Sequence, residues 1–339
     1  MILNKMWNWK MYWCKKMINE ITIRKLVDCI LLNACSVNSS GLYNGKAGMS
    51  LALFEAARFL HDEKIEDKAF DLFQECLVRP TNDYSFENGL SGVGYTLIYL
   101  IINKFIDADF EEVFKEHCEK IIYDFDSIDK HPDKLLISLK AIYFLSVLKS
   151  VHYEDIRVNQ IIEKIFQGTE LYLSLQFFDW KNMYYINRKA DVLKTYETYL
   201  KLIDFAEYAN FSDYLMNSYA ELYRSGRIAS SLSTGYYLCN IMKQNNVTQY
   251  RDVINSNISY GLKDIHPNLL SLEQKINLTK IIENINTSYG DYRLMGIDFW
   301  GENFEKIKSS VRPNHLHYGY QYGLVRYLIY SINKRAILL

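Results

Sequence analysis

The sequence predicts an all-α protein, and three observations carry that reading. The first is scarcity of punctuation: 339 residues contain only 4 prolines and 15 glycines, below the usual shares of about 5% and 7%. A chain of many strands needs turn residues about every 8–12 positions. The second is periodicity, because apolar residues recur along most of the chain at the three-four spacing of a helix face. The third is order among the few glycines, which fall at the starts of apolar helices and repeat.

The repeat shows best in two segments. Gly41-Leu-Tyr-Asn-Gly45-Lys-Ala-Gly48 and Phe86-Glu-Asn-Gly89-Leu-Ser-Gly92 both read Asn-Gly-x-x-Gly before an apolar run, 44 residues apart. Residues 48–60 are apolar nearly all round, which predicts a helix buried on most sides. Residues 65–79 carry Ile65, Ala69, Leu72, Phe73, Cys76 and Leu77 on one stripe, with charges opposite. The second unit repeats this contrast. Residues 92–107 are broadly apolar, and 109–122 place Phe110, Val113, Phe114, His117, Cys118, Ile121 and Ile122 on one face.

Weaker units follow. Residues 134–149 and 156–166 form a third pair, and 189–208 and 211–224 a fourth. Gly235 opens a fifth inner helix, with 250–260 outside it. Residues 269–286 are a sixth inner helix, and Gly319 opens a seventh. Seven hairpins of alternating buried and half-exposed helices predict a double-layered α/α ring, with an open solenoid as the competitor. Residues 1–40 are then a helical arm packing on the ring, and 41–339 one ring domain. Trp7, Trp9 and Trp13 in the arm are either a docking segment or core packing.

The glycines imply a site. The first of each pair is expected to permit positive φ, and the second a close backbone approach. Inner-helix starts gathered on one face would offer free N–H groups to an anion; packing alone is the other role open to the glycines. Gly45, Gly48, Gly89, Gly92, Gly235 and Gly319 are the structural set. Tyrosine is abundant, at 28 residues, and clusters near these starts. Tyr43, Asn44, Asn88, Tyr236 and Tyr318 are the candidates for binding an extended peptide at the ring mouth, although helix packing explains the tyrosines equally well.

The residues GLYNGKAGMSLALFEAARFL, EDKAFDLFQECL and SFENGLSGVGYTLIYLIINKFID resemble the opening repeats of lanthionine synthetase C-like proteins. The likeness is specific over 41–125 and partial at 231–243 and 315–332. It implies an α/α toroid of seven inner and seven outer helices. It also implies a lanthipeptide-type system, with a precursor peptide or a peptide-modifying enzyme as partner. In the active cyclases of that family, zinc at the ring mouth binds substrate cysteine thiolates. These then add to dehydroalanine or dehydrobutyrine to form thioether rings. The family holds zinc with a Cys in Trp-Cys-x-Gly and a Cys-His pair in Cys-His-Gly. Here the first motif reads Leu232-Ser233-Thr234-Gly235, and the second region reads HPNLLSLEQKINL. A neutral hydroxyl is a poor zinc ligand, so no zinc cofactor and no zinc-dependent cyclase activity are expected.

The remaining chemistry is thin. His315 and His317, with Ser233 and with Cys239 across the ring, are weak catalytic or metal candidates; loop hydrogen bonding is the plainer role for the two histidines. An alternative is a carbohydrate-active toroid with paired carboxylates, for which Asp83, Glu87 and Asp191 are the candidates. A non-catalytic interaction scaffold is a third reading. Lys+Arg of 39 against Asp+Glu of 40 argues against a nucleic-acid binder. The six cysteines are scattered without a C-x-x-C pair, as in a reducing compartment. The apolar run Leu26 to Cys35 is too short to span a bilayer. A cytoplasmic location without a membrane span is the expectation.

Overall fold

A computed structural model describes residues 20–126, 132–182, 186–209, 211–245, 249–266, 269–288, 319–320, 323–336 and 338. The described residues are helical, with no strand among them. The helices are α1 (Glu20–Ala34), α2 (Lys46–Leu60), α3 (Glu63–Val78), α4 (Leu90–Ile102), α5 (Phe110–Asp126), α6 (Pro132–Ser138) and α7 (Ile142–Val147). They continue with α8 (Ile156–Phe178), α9 (Ile186–Ala206), α10 (Asp213–Arg224), α11 (Leu232–Gln244), α12 (Arg251–Lys263), α13 (Leu272–Ser288) and α14 (Leu324–Ile332). None of these helices is long and apolar enough to cross a membrane.

Burial follows the alternation read from the sequence. In α2 every residue from Ala47 to Ala57 is buried. Its partner α3 buries only Ile65, Ala69, Leu72, Phe73 and Cys76. In α5 the buried stripe is Phe110, Phe114, Cys118, Ile121, Ile122 and Phe125. Val113, expected on that stripe, is 40% exposed. Two elements depart from expectation. The run 134–149 is not one helix, because tight 3-10 turns at Leu139–Ala141 and Leu148–Val151 bracket α7. The outer helix expected at 156–166 runs on to Phe178. Gly168 does not stop it, since the space a Cβ would take there is filled by Leu135 from α6.

Helix contacts run α2 to α4, α4 to α7, α7 to α9, α9 to α11, α11 to α13 and α13 to α14, and α14 returns to α2. The more exposed helices α3, α5, α8 and α12 pack outside α2, α4, α7 with α9, and α11 respectively. Helix α1 lies against both α2 and α14 and buries Ile23, Leu26, Val27, Ile30 and Ala34. The arm's helical part therefore covers the place where the last helix meets the first. Trp7, Trp9 and Trp13 lie outside the described residues.

The glycine loops bind each other through the backbone. Gly41 N donates to Asn88 O at 2.9 Å, and Leu42 N to Phe86 O at 3.3 Å. Tyr43 N and Asn44 N both donate to Glu87 O at 3.1 Å. The helix starts are closed the same way, with Lys46 N on Ser39 O, Ala47 N on Ser40 O and Leu90 N on Asp83 O. These amides have no partner within their own helices, and the loops supply one. At α2 and α4, N–H groups that were expected to greet an anion are thus already used by Ser39, Ser40 and Asp83.

The glycines themselves work by close approach. Gly45, Gly89 and Gly323 cap α2, α4 and α14 at φ of −128°, −121° and −130°, so the expected positive φ is absent. The last cap is Gly323, and Gly319 stands four residues earlier, its O accepting from Gly323 N at 3.1 Å. Gly235 lies inside the first turn of α11, whose cap is Ser231. At Gly92 a Cβ would come within 2.2 Å of Phe86 O and 2.4 Å of Leu42 N, so the two loops meet only over a bare Cα.

Gly92→Ala is expected to lower stability by about 1–3 kcal/mol, because the neighbours are backbone and must shift. Gly226→Ala is the contrast. Its Cβ meets nothing within 4 Å, and only its φ of 70° is unfavourable, costing about 1 kcal/mol. Urea-denaturation midpoints compare the two.

Candidate functional site

The polar cluster at the centre of the helix circuit comes from helices far apart in sequence. Helix α9 buries Tyr196, Tyr199, Leu200, Leu202 and Ile203, while Glu197 and Lys201, one turn apart, are half-buried. The 3-10 turn before α7 presents Lys140, and α7 presents Tyr143. Helix α11 adds Ser233 and Tyr237, α13 adds Glu273 and Asn277, and α14 adds Arg326.

Cations alternate with aromatic rings across this centre. Lys201 Nζ stands 5.5 Å from the Tyr143 ring centroid. Tyr143 packs on Phe86 at 5.2 Å, Phe86 on Tyr43 at 5.4 Å, and Tyr43 stacks on Tyr320 at 5.7 Å. Lys140 lies over Tyr43 at 5.0 Å, and Arg326 over Tyr320 at 5.2 Å. Each ring face attracts the cation beside it. Lys140 is also ion-paired with Glu87. Arg326, 1% exposed, donates to Asn277 Oδ1 at 2.5 Å and to Leu338 O at 2.7 Å. Its Nε has no hydrogen-bond partner.

Protonation is shifted throughout. Burial, then the charges of Arg326 and Lys140, bring the Lys201 amine down to about 7 against the opposing pull of Glu273 and Glu197. Burial and Arg326 bring Lys280 down to about 8, with Glu283 opposing. Burial raises Glu197, while a hydrogen bond from Ser233 and the charge of Lys201 pull it back. Tyr43, Tyr143 and Tyr237 are raised, chiefly by burial, and stay neutral. The chemical capacity is that of an amine and a carboxyl, both displaced toward neutrality and one helical turn apart.

The residues singled out from the sequence fall in several places. Ser233 is in the centre and bonds Glu197. Tyr43 is 4% exposed and belongs to the aromatic stack. Asn44 and Asn88 bond each other, Nδ2 to Oδ1 at 3.1 Å, and so pin the two glycine loops together. Tyr236 is 8% exposed, and its hydroxyl accepts from Asn284 Nδ2 at 2.9 Å. His315, His317 and Tyr318 lie outside the described residues. Asp83 Oδ1 accepts from Ser85 N at 2.8 Å within its own turn, and Asp191 is exposed. Of the three carboxylates proposed for hydrolysis, only Glu87 reaches the central cluster, and there it pairs with Lys140.

Among the described residues, the donors at the family's zinc position do not suit zinc. Where the family pattern places a thiolate, Ser233 gives its hydrogen bond to Glu197, and a lysine lies one turn further along α9. No three His, Cys, Asp or Glu side chains among the described residues stand together as a metal ion would need. Cys239 is half-buried on α11 without such company.

Glu197, Lys201, Glu273 and Arg326 were not singled out from the sequence. The one available signal was the Glu197–Lys201 spacing, which reads equally well as a solvated helix pair. Two clefts of about 710 and 560 Å³ lie elsewhere. One is lined by Tyr153 and Asn159 beside α8, the other by Phe70 and Phe105 beside α3. Neither is lined by a residue of the central cluster. In comparisons with known proteins, the chain matches no family model, no curated protein and no solved structure.

The Lys201 shift has a sign that stability can report. Between about 7 and the ordinary 10.5 the unfolded chain holds a proton that the folded chain has lost. Lys201 therefore contributes stability that rises with pH across this window. Lys201→Met removes the contribution. Its urea midpoint is expected to gain on wild type most at pH 7 and below, the gain shrinking toward pH 10.5. A difference that is flat with pH would place the amine at its ordinary value.

Proposed function

We propose that the chain is a lanthionine-synthetase-C-like α/α toroid that binds a peptide, or the enzyme modifying that peptide, at the mouth of its ring. It does so without zinc-dependent thioether chemistry. The observation that carries this reading is the content of the ring centre. Ser233, in the place of a family cysteine, serves Glu197, beside a lysine held near neutrality. The helix circuit that returns from α14 to α2, with more exposed helices outside it, supports the toroid. Tyr143, Tyr236 and Tyr237 are buried in the core, so the peptide part of the reading rests on the family resemblance.

A second reading is a carbohydrate-active toroid. The charge of Glu273 acts on Glu197, which burial raises. A carboxyl raised by burial near a second carboxylate is the arrangement of a general acid with its partner. A panel of chromogenic glycosides separates the readings. Turnover that is lost in Glu197→Gln favours hydrolysis.

The peptide reading is tested on purified full-length protein with a fluorescein-labelled dehydrated model peptide carrying one cysteine. Elemental analysis is expected to find zinc far below one equivalent, and mass spectrometry after thiol alkylation to find no thioether. Fluorescence anisotropy is expected to show saturable binding, weakened about tenfold or more by Glu273→Lys, which reverses a charge in the central cluster. Stoichiometric zinc with thioether formation would overturn the loss of cyclase chemistry. Absence of binding would overturn the peptide reading.

A further inference from the structure

In the outer layer α5 packs on α8, α8 on α10 and α10 on α12. Helices α3 and α5 are not packed in this way, and the cleft of about 560 Å³ lies between them. Along α3 its wall includes Glu66, Phe70, Phe73 and Leu77, whose spacing of four, three and four is that of one helix face. From 66 to 77 that face runs about 16 Å, or about three helical turns. The opposite wall is the segment 105–108 with Val113 of α5. Phe54 of α2 and Leu97 of α4, both buried side chains of the inner layer, form the floor. Phe70 and Val113 face each other from the two walls at 41% and 40% exposure, so the apolar lining reaches solvent.

Charge in the cleft has one sign. Glu66, Asp67 and Asp107 line it, and no lysine, arginine or histidine does. None of the three carboxylates has a salt bridge or a side-chain hydrogen bond among the described residues. Arg58 covers the Phe105 ring at 3.4 Å, but its guanidinium is engaged by Asn103 O and Lys104 O. That contact joins the C-terminal ends of α2 and α4. The loops that enter α3 and α5 therefore lie at one end of the cleft. Glu66 and Asp67 stand in the first turns of α3, and Asp107 just before α5, so the carboxylates gather at that end. Phe73 and Leu77 continue the wall away from it.

From this geometry we infer that the cleft between α3 and α5 docks a helical segment of a partner protein, one that carries a lysine or arginine at one end of an apolar face. Its apolar side chains, at three-four spacing, lie along Phe70, Phe73 and Leu77. Its cation meets the carboxylate end, which fixes register and direction. A helix in that position fills the outer layer where this chain leaves it open. The inference is independent of the ring-mouth reading, because no residue of the central cluster lines this cleft.

The test is fluorescence anisotropy of the full chain with a fluorescein-labelled helical peptide of about four turns. Leucines form one face of the peptide, and alanine and glutamine fill the rest. Two lysines stand at its first turn in one version and at its last turn in another. Companion peptides carry glutamate in place of lysine. Saturable binding is expected for one lysine version, and binding at least about tenfold weaker for its glutamate companion. Asp67→Lys is expected to weaken the lysine peptide about tenfold and to strengthen the glutamate one. Phe70→Ser is expected to weaken both. Each variant changes an exposed side chain, and circular dichroism checks that the fold is kept. Glu207→Lys, in the cleft beside α8, and Glu273→Lys, at the ring centre, are expected to bind as wild type does. Loss of binding in either of these two overturns the inference. So does failure of both lysine peptides to bind, or undiminished binding by Asp67→Lys and Phe70→Ser. A wild-type dimer in light scattering that Phe70→Ser splits also overturns it, since a second copy of this chain would then fill the cleft.

Discussion

The first amides of an α-helix have no carbonyl within the helix to bond, and much of this structure follows from how α2 and α4 answer that need. Loop carbonyls of Ser39, Ser40 and Asp83 accept from Lys46, Ala47 and Leu90. The two loops are then tied together by Gly41, Leu42, Tyr43 and Asn44 donating to Phe86, Glu87 and Asn88. Backbone can approach backbone this closely only where side chains are missing, which is why glycine recurs there. The tie also fixes Tyr43 and Phe86 edge to face at 5.4 Å. The stack that runs through Tyr143, Phe86, Tyr43 and Tyr320 grows from that pair.

Saturating the helix starts moves the electrostatics inward. With those amides spent, charge at the centre comes from side chains: Lys140, Glu197, Lys201, Glu273 and Arg326. Glu197 and Lys201 share α9 and the other three come from separate stretches of chain, and the charges around them shift Glu197 and Lys201. The hydrophobic layers around this centre are ordinary by comparison, with side chains such as Phe54, Phe114 and Phe166 fully buried.

The helical architecture was legible because it is written locally. A helix buried on all sides and one buried on a stripe differ within fifteen residues, as α2 and α3 do. The glycine repeat was legible too, but its purpose was not: positive φ was expected, whereas Gly45 and Gly89 are extended. Register at the last repeat was off by four residues, since Gly319 and Gly323 both fit the pattern. The centre was nearly invisible. Lys201 and Arg326 are 125 positions apart and each looks like a surface charge on its own helix. Only closure of the circuit puts them into one field. Ser233 was found only because a family pattern pointed at its position.

That closure also says something about the order in which the chain can fold. Asn333 donates to both Glu55 carboxylate oxygens at 3.2 Å, across 278 residues, while Tyr99 donates to the same carboxylate. During synthesis from the N-terminus, α2 must wait for nearly the whole chain before α14 arrives to cover its flank. Closing so long a loop is entropically slow to repay. In the interval the flank of α2 that α14 covers lacks its partner. Helix α1, which packs on both α2 and α14, is made first and is at hand to shield the seam. The first described helix thus lies along the seam that the last one closes.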